Sequence, residues 1–184
     1  MIQPMFAVLL VLLLLVSTGC MHRIQVNPLP VQAASTSIPR SLGVVVGPPA
    51  LEGADHRPGI TLLEWPHQSL REAVIQYARH RRTFSSVVAD SAELGMNMTT
   101  KLTLSSRQGR YHYHIRLQAE LSEAGRPIKT YRAEGAAAGS TARWVTASDR
   151  DPVESALTLA LDDLFARIEE DRSLYGKEAG SPVP

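Results

Sequence analysis

YHYHIRLQAEL (residues 111–121) alternates without a break. Tyr111, Tyr113, Ile115, Leu117, Ala119 and Leu121 fall on one side, and His112, His114, Arg116, Gln118 and Glu120 on the other. Side chains along a strand point to opposite faces with a period of two, so this run reads as a half-buried strand with one wet face. MNMTTKLTL (96–104) carries the same pattern, with Met96, Met98, Thr100, Leu102 and Leu104 alternating with mostly polar residues. IKTYRAEGAA (128–137) reads as a third strand. SSRQGR (105–110) and EAGRP (123–127) supply the turns, so the three form an antiparallel meander.

Upstream, SLGVVVG (41–47) is a short β-branched run closed by Gly and Pro-Pro, the pattern of a buried strand. GPPALEGADHRPG (47–59) reads as loop. WPHQSLREAVIQYARHRR (65–82) reads as a helix, with Pro66 at its first position and Leu70, Ala73, Val74 and Tyr77 in one stripe. TFSSVVA (83–89) is either a separate strand or one bent strand with 96–104. Residues 138–150, with Trp144, read as loop. Asp151, Pro152 and Glu154 then mark a helix start, with Asp151 as N-cap. Behind it, Val153, Ala156, Leu157, Ala160, Leu161, Leu164 and Ile168 form an apolar stripe. The expected fold is α+β, a mostly antiparallel sheet of four to five strands with two helices packed on one face.

The N-terminus gives the address. Every residue from Met5 to Val16 is apolar, too short a run for a membrane span of about 20 residues but suited to a signal peptide. LLLLVSTGC (12–20) ends in the only cysteine. No internal disulfide can form, and a secreted domain rarely exposes one unpaired thiol. The stretch resembles the lipobox of bacterial lipoproteins, although Ser17 stands where that pattern usually has Leu. The resemblance implies cleavage before Cys20 and acylation of its thiol and its new α-amine, an anchor of two or three chains. Met21 stands where the family's inner-membrane retention signal would place Asp, which implies the periplasmic face of the outer membrane. An ordinary cleaved signal with an incidental Cys20 is the competing reading.

The expected organisation is a signal peptide over 1–19, lipidated Cys20 with a flexible tether over 20–40, one α+β domain over 41–171 and a disordered tail over 172–184. The tether rests on the three prolines and the missing period of MHRIQVNPLPVQAASTSIPR (21–40).

Composition excludes some classes. The 19 Lys+Arg balance 18 Asp+Glu to a net charge of +1, which argues against bulk nucleic-acid binding. At 5% aromatic residues, an aromatic-rich sugar groove is not expected.

Candidate chemistry is sparse. His112 and His114 stand two apart on one strand face, a spacing that suits two zinc ligands, but no HExxH or acidic cluster supplies a third. A solvated strand face continued by Arg116 is the simpler reading. Arg79, Arg81 and Arg82 could grip lipid phosphates, or could complement the dipole at a helix C-terminus. Met96 and Met98 read as core. There is no GxSxG, and GPPALEG lacks the GK[ST] ending of a phosphate loop. The expectation is a non-enzyme with no cofactor and no metal.

SLGVVVG, LREAVIQYARHRRTFSSVV, the YHYHIRLQAEL meander and ESALTLALDDLFARIEE follow one another in an order similar to that of small envelope lipoproteins. These include the lipopolysaccharide-assembly lipoprotein and the auxiliary lipoproteins of ABC-type transporters. The resemblance implies a non-enzymatic accessory subunit of an outer-membrane assembly or transport complex. Its partners would be membrane lipid through Cys20 and an envelope protein complex through the face of His112, His114 and Arg116 or through an exposed sheet edge. Two alternatives stay open: a metal-dependent enzyme using His112 and His114, and an anionic-glycolipid module at Arg79, Arg81 and Arg82. The oligomeric state is left open.

Overall fold

The computed structural model describes residues 21–53, 62–88, 91–139 and 149–176. Eight strands and two helices lie within them: β1 (Met21–Arg23), β2 (Ile38–Val46), β3 (Ala50–Glu52), β4 (Leu62–Glu64), α1 (His67–Arg81), β5 (Phe84–Val88), β6 (Leu94–Arg107), β7 (Arg110–Glu123), β8 (Arg126–Gly139) and α2 (Arg150–Glu170). The class is α+β, as expected.

The alternation of 96–137 is realised as a meander of three 14-residue strands, β6, β7 and β8, paired antiparallel along their lengths. The strands are longer than the expected segments because each turn is only two residues. Gln108 and Gly109, and Ala124 and Gly125, all have positive φ. Successive left-handed residues make the tight hairpin turn whose twist matches its strands.

The sheet as a whole is mixed, with six strands in the order β5-β2-β6-β7-β8 and β3 also paired with β6. The contacts β2·β5, β2·β6 and β3·β6 are parallel. This corrects the expectation of a mostly antiparallel sheet of four to five strands. The cause is the connection. The segment between β2 and β5 includes α1, and a crossover through a helix returns the chain in the same direction. β1 and β4 form a further parallel pair.

TFSSVVA is a strand of its own. β5 pairs with Ile38–Gly43 on one flank of β2, and β6 pairs with Leu42–Val46 on the other. The chain therefore changes flank beside Gly43, where a Cβ would stand 3.0 Å from that of Ala92. Ser41 and Glu93 fasten the crossing reciprocally, each backbone N–H donating to the other's side-chain oxygen at 3.0 Å.

Both helices cover one face of the sheet, α1 against β2 and β5 and α2 against β7 and β8. The Tyr77 and Phe165 rings meet between them at 5.6 Å. Below lie the inward residues of the meander, among them Met96, Met98, Leu102, Tyr113, Ile115 and Leu117, all buried. Burial of this apolar area is the main stabilising term.

Two boundaries move. The expected tether is part of the domain: Ile24, Val26 and Ile38 are buried. The Asn27 N–H donates to Glu154 at 2.8 Å, and the Ala34 N–H to the Arg81 carbonyl at 2.7 Å. The prolines exclude a helix but do not prevent an irregular chain from packing across helices. The expected disordered tail begins with a 3₁₀ turn at Arg172–Leu174, and Tyr175 is fully buried. Residues 177–184 lie outside the described residues, as do the signal segment, Cys20 and Trp144.

The start of α2 also shifts. Asp149, not Asp151, holds the N-cap position, and its carboxylate accepts the Tyr113 hydroxyl instead of capping the helix.

Candidate functional site

Among the described residues no helix covers the sheet's second face. Register places its outward side chains in rows across β6, β7 and β8: Thr99–Gln118–Arg132, Lys101–Arg116–Glu134 and Thr103–His114–Ala136. A shallow cleft of about 470 Å³ lies over the first two rows.

Its side chains hold one another. Glu134 bridges two neighbours, accepting from Arg116 Nε at 2.9 Å and lying 3.0 Å from His114 Nε2. Lys101 Nζ meets Glu52 at 2.7 Å, and Arg132 Nε donates to the Gln118 side-chain oxygen at 3.1 Å. Arg116 and Glu134 are each more than half exposed, so such pairs contribute little stability, roughly 0–1 kcal/mol. Their effect is to hold a charged, patterned surface in place.

The expected row of His112, His114 and Arg116 thus exists, with His112 and Arg116 exposed and His114 half-buried. It is part of a wider face. Lys101 occupies an outward position of the alternation over 96–104, whereas Arg132 and Glu134 lie outward on the third strand, to which the sequence reading assigns no faces. None of the three is among the expected contact residues. Among the described residues no group of three His, Cys, Asp or Glu is placed to hold a metal ion. His114 is engaged with Glu134.

The arginine cluster is not brought together as a grip. Arg79 and Arg82 are exposed, but Arg81 turns inward with its side chain only 7% exposed. Its Nη1 donates to Asp162 at 2.9 Å, and its Nε and Nη2 to the two Glu169 oxygens at 3.0 and 3.1 Å. Glu169 bonding, above all, raises the Arg81 pKa further. This corrects the reading of Arg81 as part of an anion site: its donors are committed to α2. Cys20, the expected lipidation site, lies outside the described residues. Among the described residues no helix is long and apolar enough to cross a membrane.

No protein-family model and no curated protein matches the chain. Solved structures do. A Xanthomonas campestris protein of the family model DUF330 aligns at 13% identity over 79% of this chain and 92% of its own, with a TM-score of 0.50. A hypothetical protein from Chlamydia trachomatis aligns at 9% identity over 74% and 97%, with a TM-score of 0.47. A candidate lipoprotein from Caulobacter crescentus CB15 aligns at 17% identity over 59% and 82%, with a TM-score of 0.39. The chain shares its fold with the DUF330 protein; at this identity the likeness concerns the fold alone.

Proposed function

We propose that this protein is a lipid-anchored lipoprotein of the bacterial envelope, facing the periplasm from the outer membrane and serving as a non-enzymatic accessory subunit of an assembly or transport complex. The observation that carries the reading is the open, charged face of β6–β8. Lys101, Arg116 and Arg132 stand in adjacent rows around one cleft and outnumber the two carboxylates they meet there, Glu52 and Glu134. A face of this kind suits an envelope protein that presents carboxylates, because complementary charge steers encounter and fixes register. The sequence supports the address, through LLLLVSTGC and Met21. The observed order of β2, α1, β5, the meander and α2 is the one on which the resemblance to envelope lipoproteins rests. An acyl anchor would raise the local concentration at a membrane partner without any added contact.

The test is a crosslinked pull-down from detergent-solubilised envelopes with the wild type, Cys20→Ala, and Arg116→Glu combined with His112→Ala and His114→Ala. The reading expects one defined envelope protein, captured less without the anchor and lost with the altered face. Undiminished capture by the face variant would sink the face assignment. No partner from folded, acylated protein would sink the accessory role.

A further inference from the structure

The fold has two poles, and the chain enters at one of them. β4 leads through Trp65 and Pro66 into the N-terminus of α1, where the His67 ring nitrogen meets the carbonyl of Val46, the last residue of β2. β2 runs parallel to β6, so this is also the pole toward which β6 ends. The N-terminus of α2 lies there too, since Asp149 holds Tyr113, the cross-strand neighbour of Leu104. β1 is paired with β4, and the Ile24 N–H continues that pairing to the Glu64 carbonyl at 2.8 Å. The opposite pole carries the C-terminus of α1 with Arg79 and Arg82, the start of β5, and the Ala124–Gly125 turn. The 15 residues of α1 alone separate the two by roughly 22 Å.

Two consequences follow for an acylated Cys20. It is the residue immediately before β1, one Cα step of about 3.8 Å from Met21, so little chain remains to hold the domain away from the lipid. The β6–β7 hairpin also runs three residues past Leu104 at this pole, a rise of roughly 10 Å, and its tip pairs Arg107 with Arg110. Both arginines are exposed, and among the described residues neither has an acidic partner. By contrast Arg23 and Arg150, on β1 and α2, are matched by Glu64 and Glu154.

We infer that the domain lies directly on the membrane through this pole, with Arg107 and Arg110 on the hairpin tip engaging the phosphates of an anionic phospholipid surface. The inference rests on the proposed acylation of Cys20. It leaves the β6–β8 face upright beside the bilayer and turns Arg79 and Arg82 away from it. A basic segment is drawn to an anionic surface, which orients a domain that an acyl anchor already holds there.

The test uses the full chain, acylated in cells and reconstituted into vesicles of phosphatidylethanolamine and phosphatidylglycerol. With Cys20 acylated, a cysteine introduced by Ser106→Cys near the tip, or by Ser85→Cys on β5, is the one free thiol and takes a fluorophore. Quenching by headgroup-nitroxide lipid should be several-fold stronger at position 106 than at 85. It should fall to the level of position 85 with Arg107→Glu and Arg110→Glu, and weaken in phosphatidylcholine vesicles. Equal quenching at both positions overturns the orientation. Strong tip quenching that survives both charge reversals overturns the role of the arginines. An unquenched tip overturns the lipid contact and leaves the hairpin for a protein surface. Intact mass of the same sample reads Cys20 directly: an unacylated chain overturns the anchor and the orientation with it, whereas an acylated chain with an unquenched tip overturns the orientation alone.

Discussion

Arg81 and Glu169 form a two-pronged pair across the helix layer, Nε to Oε1 at 3.0 Å and Nη2 to Oε2 at 3.1 Å. The Thr83 hydroxyl donates to the same Glu169 oxygen at 2.6 Å, and the Tyr77 hydroxyl and Arg81 Nη1 both donate to Asp162. The end of α1 is thereby pinned to the last turns of α2. Removing one partner of a mostly buried pair leaves an uncompensated charge. Glu169→Ala should cost about 3 kcal/mol in urea denaturation. Arg81→Met combined with Glu169→Leu should cost less than the sum of the two single changes, since neither charge is then stranded. Strict additivity would show that the pair is not coupled.

Gly135 fixes how closely α2 can lie on β8. A Cβ there would stand 2.1 Å from the Ala156 carbonyl oxygen and 2.7 Å from the Ala160 nitrogen, both helix backbone. No rotamer relieves such a clash, so Gly135→Ala should destabilise by about 3 kcal/mol, at the upper end for overpacking. Gly125 is a contrasting case. A Cβ there meets nothing within 4 Å, but φ is +75°. Gly125→Ala should therefore cost only about 1 kcal/mol, from backbone conformation alone. Thermal unfolding of the two variants would separate packing from φ; similar losses would refute the assignment.

The meander was legible because period-two alternation is a local property, and residues 111–121 obey it without exception. The outward position of Lys101 was legible in the matching pattern of 96–104, though not its convergence with Arg132 and Glu134, which depends on register. Parallel pairing of β2 with β5 and β6 was not legible, since alternation says which face a residue takes and not which strand lies beside it. The role of Arg81 was not legible for a related reason: Glu169 lies 88 residues away, and nothing local distinguishes Arg81 from Arg79 and Arg82 beside it. Residues 23–29 do alternate, with Ile24, Val26 and Pro28 buried between exposed neighbours, but the run is short, interrupted by proline and, past Arg23, outside regular secondary structure, so its packing was not legible.

Three tyrosines make an alkaline prediction. Burial, first of all, raises the pKa of Tyr77, Tyr131 and Tyr175; the bond to Asp162 adds to it for Tyr77, and the bond to Tyr175 for Tyr131. A raised folded pKa means that the unfolded chain releases its proton first. The stability these groups contribute is therefore complete below their unfolded value near 10 and is lost as pH rises above it toward the folded pKa. Phenolate absorbance from these three should thus emerge together with loss of secondary structure, in one cooperative step above about pH 10. Smooth ionisation of all five tyrosines ahead of unfolding would contradict it.

Tyr175 decides whether the domain ends with α2. Its hydroxyl lies 2.5 Å from that of Tyr131, and its ring is fully buried beyond the 3₁₀ turn that follows the helix. Lys129 on the same strand holds Asp171 at 2.6 Å, which lowers the Asp171 pKa and fastens the chain just before that turn. If this segment were disordered, Tyr175→Ala would be neutral. Because the ring fills a core position, the change should cost about 3 kcal/mol, in the range for deleting a buried aromatic side chain. Tyr175→Phe keeps the ring and removes one of the two hydrogen-bond partners of the Tyr131 hydroxyl, Asp171 being the other, so it should cost about 1 kcal/mol. Urea midpoints in the order wild type, Phe, Ala would place residue 175 in the core, and three equal midpoints would return it to a tail.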